Sequence, residues 1–167
     1  MSRVLLITAD KPLPLCDKQE ERTTTVTLPN LPDLGDKAGG TISFTGLRGF
    51  RVSEHNYYRY AVDALGYSMK AYQYELELEY CQTDLGHLCA YLSANLTPDE
   101  EIELWNLWVG NDREDKPTHF RGRLSDLDLD TLDQLLNLPT KDGKLGQCRM
   151  TVTIKPEYHL KRRLIYG

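Results

Sequence analysis

Polar and apolar positions alternate most cleanly at residues 72–80, YQYELELEY. Tyr72, Tyr74, Leu76, Leu78 and Tyr80 interleave with Gln73, Glu75, Glu77 and Glu79. This pattern predicts a strand with one inward apolar face, tyrosines included, and one acidic face. The period then becomes helical. Thr83 is placed to cap a helix whose Leu85, Leu88, Cys89, Leu92 and Leu96 share a stripe, and Pro98 and Asp99 end it. EIELWNLWVG (101–110) reads as a strand, GNDREDKP as its polar turn and THFRGRL as the return strand. Ser125 or Asp126 opens a second helix with Leu129, Leu132, Leu135 and Leu136 inward. QCRMTVTIK is the last strand, with Cys148, Met150, Val152 and Ile154 on one face.

Strand, helix, strand, strand, helix, strand is the ferredoxin-like βαββαβ order. The expected fold class is therefore α+β, with an antiparallel ferredoxin-like sheet over residues 70–156. In that plan, 72–80 lies between 148–154 and 117–124. Glu75, Glu77 and Glu79 would then face Arg149, Lys155, Arg121 and Arg123 across the ladders. Strand 101–110 falls at an edge, yet it is apolar on both faces. Ile102, Leu104 and Trp108 lie on one side, and Trp105, Leu107 and Val109 on the other. Such strands are normally buried on both faces. Trp105, Leu107 and Val109 therefore need a cover: residues 1–66, a second copy of the chain or a partner protein. They are the candidate protein-binding residues.

The first 66 residues are less periodic. RVLLIT (3–8) reads as a buried strand, and TTTVTLP (23–29) and Thr41–Thr45 as further strands. Ser53 or Asn56 can cap a helix that Gly66 stops. The chain is expected to be a single domain, 1–167, with 1–66 as an extension of strands plus one helix.

Charge narrows the functional classes. The 167 residues carry 20 Lys and Arg against 25 Asp and Glu, a net charge of -5, and the pI is about 5.4. That argues against nucleic-acid binding, which draws on basic surfaces. No stretch of about 20 apolar residues is present to span a membrane, and Val4–Ile7 is too short for a signal peptide. The expected location is cytoplasmic. Cys16, Cys81, Cys89 and Cys148 show no CxxC spacing and read as free thiols.

Candidate chemistry is sparse. Seven of the ten tyrosines fall between 57 and 80, and tyrosine suits binding surfaces. Tyr57, Tyr58 and Tyr60 stand beside Glu54, His55 and Arg59. In a helix, His55 and Arg59 share a face, as a general base and an anion anchor would need. Glu54, His55, Tyr57, Tyr58 and Arg59 are the candidate ligand-binding set, although no nucleophile motif accompanies them.

Cys81, His87 and Cys89 cannot share a metal from one helix, because His87 and Cys89 are two apart and point to different sides. Asp126, Asp128 and Asp130 lack the glycine and the terminal acid of a calcium loop, where Thr131 and Asn137 stand. They read as helix-start charges. No phosphate-loop, dinucleotide-binding or zinc-protease string occurs. No metal and no cofactor is expected. The sequence points to a non-catalytic binding protein of immunity, antitoxin or adaptor type. It would act on a protein partner or as a homo-oligomer. The alternative is a small enzyme or ligand sensor with its pocket around His55 and Arg59.

Overall fold

The computed structural model describes residues 3–28, 40–55, 70–108, 118–137 and 148–153. Within them lie β1 (Arg3–Ala9), β2 (Cys16–Asp17), β3 (Glu20–Thr27), β4 (Thr41–Arg48), β5 (Arg51–Glu54), β6 (Tyr72–Glu77), α1 (Gln82–Asn95), β7 (Glu101–Trp108), β8 (Thr118–Arg123), α2 (Leu129–Asn137) and β9 (Cys148–Thr153). A single 3-10 turn, Leu124–Asp126, precedes α2. The fold is mixed α+β. Seven strands form one sheet in the order β2-β5-β6-β1-β7-β9-β8, and β3 and β4 form a separate ribbon. Every pair is antiparallel except β8 with β9.

Two strands with apolar side chains on both faces occupy the middle. In β1, Val4 to Ala9 are all buried, and in β7 Ile102 to Leu107 are. Alternate residues serve two cores. Leu5, Ile7, Ala9, Ile102 and Leu104 join the large core with Leu85, Leu88 and Leu92 of α1 and Leu132, Leu135 and Leu136 of α2. Val4, Leu6, Trp105 and Leu107 form a second cluster on the opposite face. A strand apolar on both faces needs packed side chains above and below the sheet, and β1 and β7 have a cluster on each side.

This order corrects the ferredoxin-like expectation. β6 does not lie between 148–154 and 117–124. Its neighbours are β1 and β5, with Leu5 opposite Leu76 and Val52 opposite Leu76. β6 and β7 are each antiparallel to β1, so they run parallel to one another with β1 between them. A split βαβ unit is thus present, but the inserted strand comes from the N-terminus. β8, with Arg121, Gly122 and Arg123, is an edge strand, where charge and glycine are tolerated. β7, expected at an edge, is central.

The glutamates have other partners. Glu77 lies across from Arg51, with their charged groups 3.9 Å apart. Glu79 meets Arg22 at 2.6 Å, and the Glu75 carboxylate lies 3.5 Å from His55. Lys155 lies outside the described residues. Tyr72 and Tyr80, expected inward, are exposed. Tyr74 is half-buried and its hydroxyl accepts the Leu13 amide at 2.9 Å. Strand β6 stops at Glu77.

Helix ends also differ in detail. Cys81, not Thr83, holds the N-cap position of α1, without a side-chain cap bond. Residues 124–126 take a 3-10 turn, and the Asp128 carboxylate accepts the Thr131 amide at 2.8 Å at the start of α2. That bond leads the interactions holding the Asp128 carboxyl below its ordinary range. At the other end of α2, Asn106 Nδ2 donates to the Leu135 carbonyl at 2.8 Å. Arg3 Nη1 donates to that of Leu136 at 3.2 Å. The central strands thereby satisfy carbonyls that a helix terminus leaves without internal partners. No described helix is long and apolar enough to cross a membrane.

Candidate functional site

β3 and β4 continue the β2–β5 edge pair outward as an arm. The Lys18 amide donates to the Phe50 carbonyl at 2.9 Å where the two ladders meet. Register then runs from Glu20 opposite Arg48 to Thr27 opposite Thr41. At ~3.3 Å per residue the arm is roughly 25 Å long. No other described element packs along it beyond marginal contact.

The root of the arm is fixed twice. Phe50 is fully buried and lies 5.7 Å from the Tyr91 ring. Beside it, Arg22 reaches back to α1. Its Nη2 lies 2.8 Å from Asp84 Oδ1, its Nη1 3.1 Å from Asp84 Oδ2, and its Nη1 also 2.6 Å from Glu79 Oε2. Glu20 Oε1 accepts Arg22 Nε at 3.2 Å. Arg48 Nη2 donates to the Arg22 carbonyl at 2.9 Å. Asp84 is wholly buried and also accepts the Glu79 amide at 2.7 Å.

Burial opposes ionisation of Asp84, but the Arg22 guanidinium and the Glu79 amide outweigh it and hold the carboxyl below its ordinary range. Asp84 and then Glu79 push the Arg22 guanidinium above its own. Gly49 makes the approach feasible at φ +126°. A Cβ there would stand 3.1 Å from Arg22 Nη2.

Beyond the root the arm stands in solvent on both faces. Residues 23–28 and 40–47 are all exposed. Thr24, Val26, Ile42 and Phe44 share one face through the pairs Thr24–Phe44 and Val26–Ile42. Phe44 is 60% exposed, Val26 45% and Ile42 41%. The other face carries a hydroxyl ladder and, toward the root, Leu47 opposite Glu21, 68% exposed. Thr23 bonds Thr45 at 2.8 Å, and Thr25 bonds Ser43 at 3.0 Å. A large apolar group left in water costs about 25 cal/mol per Å² of uncovered surface.

Of the site residues singled out by sequence, Glu54, His55, Trp105 and Leu107 fall among the described residues. Ser53 and Glu54 belong to β5 and are not a helix start. Glu54 is exposed and His55 buried. Tyr57, Tyr58 and Arg59 lie outside the described residues, as does Val109. Trp105 and Leu107 are each 1% exposed, so they supply core rather than surface. Trp105 Nε1 donates to Glu103 Oε2 at 3.1 Å and to Thr8 Oγ1 at 3.2 Å. Thr8 donates to the same Glu103 oxygen at 3.0 Å.

Among the described residues, Cys16, Cys81 and Cys89 are free thiols. None of the described residues form a group of three or more His, Cys, Asp or Glu able to hold a metal ion. A cleft of about 310 Å³ is lined by Asp10, Asp99, Glu100 and Glu101 together with Lys11. Lysines pair with three of these acids, Lys11 2.6 Å from Glu100 and Lys70 2.8 Å from Asp10 and 3.6 Å from Glu101.

Sequence reasoning found the strands of the arm but not their pairing or their exposure. The available signal was a hydroxyl side chain at every second position, Thr23, Thr25 and Thr27 on one strand and Thr41, Ser43 and Thr45 on the other, which suits a solvated face. No protein-family model matches the chain, and neither a curated protein nor a solved structure matches it.

Proposed function

We propose that this chain acts by binding another protein, without catalysis, and that the β3–β4 arm is the surface it uses. An adaptor, antitoxin or immunity-type role fits this reading. One observation carries it. The arm presents Val26, Ile42 and Phe44 to solvent on one face and is clamped at its root by the Arg22–Asp84 pair. An isolated two-stranded ribbon is marginally stable at best, and an exposed strand edge invites pairing. A rigid base under an apolar tip holds a contact surface in place before a partner arrives, which lowers the ordering cost of binding.

The test compares proteins retained by the wild-type chain with those retained by an Ile42→Ser, Phe44→Ser variant. Retention of a defined protein by the wild type and its loss in the variant, with the variant's melting curve unchanged, is the expected result. Equal retention by both would remove the arm from the function.

A further inference from the structure

We propose that the arm's occupant is the arm of a second copy of this chain, packed apolar face against apolar face. The proposal rests on the protein-binding reading above and names the partner. Charge selects it. Residues 23–27 and 41–47 contain no charged side chain, whereas the chain as a whole carries a net charge of -5. Two copies of a chain with more acids than bases repel one another on average, and like charges brought together at an interface are costly. At the arm they meet without that penalty.

A basic partner finds nothing to attract it at the arm. The surface that complements an uncharged β-face of aliphatic and aromatic side chains is another of the same kind, and this chain carries one.

Geometry allows the pairing. Val26, Ile42 and Phe44 project together from one face of the ribbon, while the other carries the hydroxyl ladder with Leu47 alone toward the root. Two ribbons related by a two-fold axis present identical patches to each other, the isologous arrangement of most dimers. Stacked β-layers sit about 10 Å apart, close enough for these side chains to interdigitate. The patch is only two strands wide. The contact therefore falls below the ~1,200 Å² of stable interfaces, and a dissociation constant of about micromolar or weaker is expected.

The experiment is light scattering on the purified full chain, from dilute solution to ~100 µM, a range suited to interfaces of this size. The expected wild-type result is a concentration-dependent rise from 19.2 kDa toward twice that mass. Phe44→Glu should weaken association by about tenfold or more. Thr25→Glu, the same charge on the opposite face, should leave it within about threefold. Circular dichroism checks that each variant is folded, and Ile42→Ser replaces Phe44→Glu if that variant is not.

A wild type that stays monomeric throughout overturns the proposal, as does equal loss in Phe44→Glu and Thr25→Glu. A monomer that still retains a different protein through Phe44 sinks self-association and leaves the arm as a binding surface.

Discussion

Arg22 and Asp84 stand 62 positions apart in the chain and meet through two hydrogen bonds, of 2.8 and 3.1 Å. One lies on an exposed ribbon and the other is wholly buried at the start of α1. This pair fixes the direction in which the arm leaves the body.

Replacing Arg22 by Ala should therefore cost about 3 kcal/mol at neutral pH, because it strands a buried carboxylate. The pH dependence gives a sharper check. In the wild type the Asp84 carboxyl is held below its ordinary range. Its contribution is complete above the unfolded value of about 3.9 and is lost as pH falls through the lower folded value. In Arg22→Ala, burial is no longer outweighed and the folded carboxyl titrates higher. The deficit should then be largest near neutrality and shrink on mild acidification. Urea unfolding of both proteins at neutral and mildly acidic pH measures it, and a constant deficit would speak against the account.

Gly49 lies under the same pair. At φ +126° an Ala side chain is strained, and its Cβ would press on the Arg22 guanidinium at 3.1 Å. Gly49→Ala should destabilise by about 1–3 kcal/mol. In the Arg22→Ala background the steric part of that cost should disappear and the backbone part remain. Additive losses in the double variant would show that the contact does not matter.

Trp105 should behave as a core residue. It is 1% exposed and packs with Val4, Leu6 and Leu107. Trp105→Ala should cost about 3–5 kcal/mol in denaturant unfolding. Trp105→Phe should recover part of this, but not the donor to Glu103 and Thr8. A melting temperature untouched by Trp105→Ala would mean that the second face of the sheet is not packed as described.

The arm should be energetically separable from the body. Ile42→Ser and Phe44→Ser alter exposed side chains and should change the unfolding free energy of the chain by no more than about 0.5 kcal/mol. Circular dichroism melts of the two variants check this. A loss of several kcal/mol would show that the arm's apolar face is already covered within the chain.

Much of the element pattern was legible in the sequence, and the sheet order was not. The alternation at 72–77, the leucine stripes of α1 and α2 and the two-faced apolar run at 101–108 each place an element correctly. Order failed because charge matching is degenerate. Glu75, Glu77 and Glu79 can be satisfied by Arg121 and Arg149 on paper, and by Arg51, Arg22 and His55 in fact. Burial demand discriminates better. RVLLITA and EIELWNLW are the strands with apolar side chains on both faces, and pairing them side by side lets one cluster on each side of the sheet cover both.

The site was less visible still. Arg22, Gly49 and Asp84 are distant in sequence and belong to no motif. The positive φ of Gly49 cannot be read from its neighbours. His55 and Trp105 drew attention by residue type, but what separates them from the arm is exposure, which depends on the finished fold.

The central place of β1 governs the order of assembly. Its ladder partners are residues 72–76 and 102–108, so this strand lacks its sheet neighbours until β6 and then β7 have been made. At roughly 5–20 residues per second on the ribosome, several seconds pass with an apolar segment waiting. Long-range pairing of this kind is intrinsically slow, because loop closure must come before the contacts that reward it. During that interval VLLI is a sticky, edge-competent strand. Nascent chains truncated before β7 should depend on chaperones, and the full chain should not.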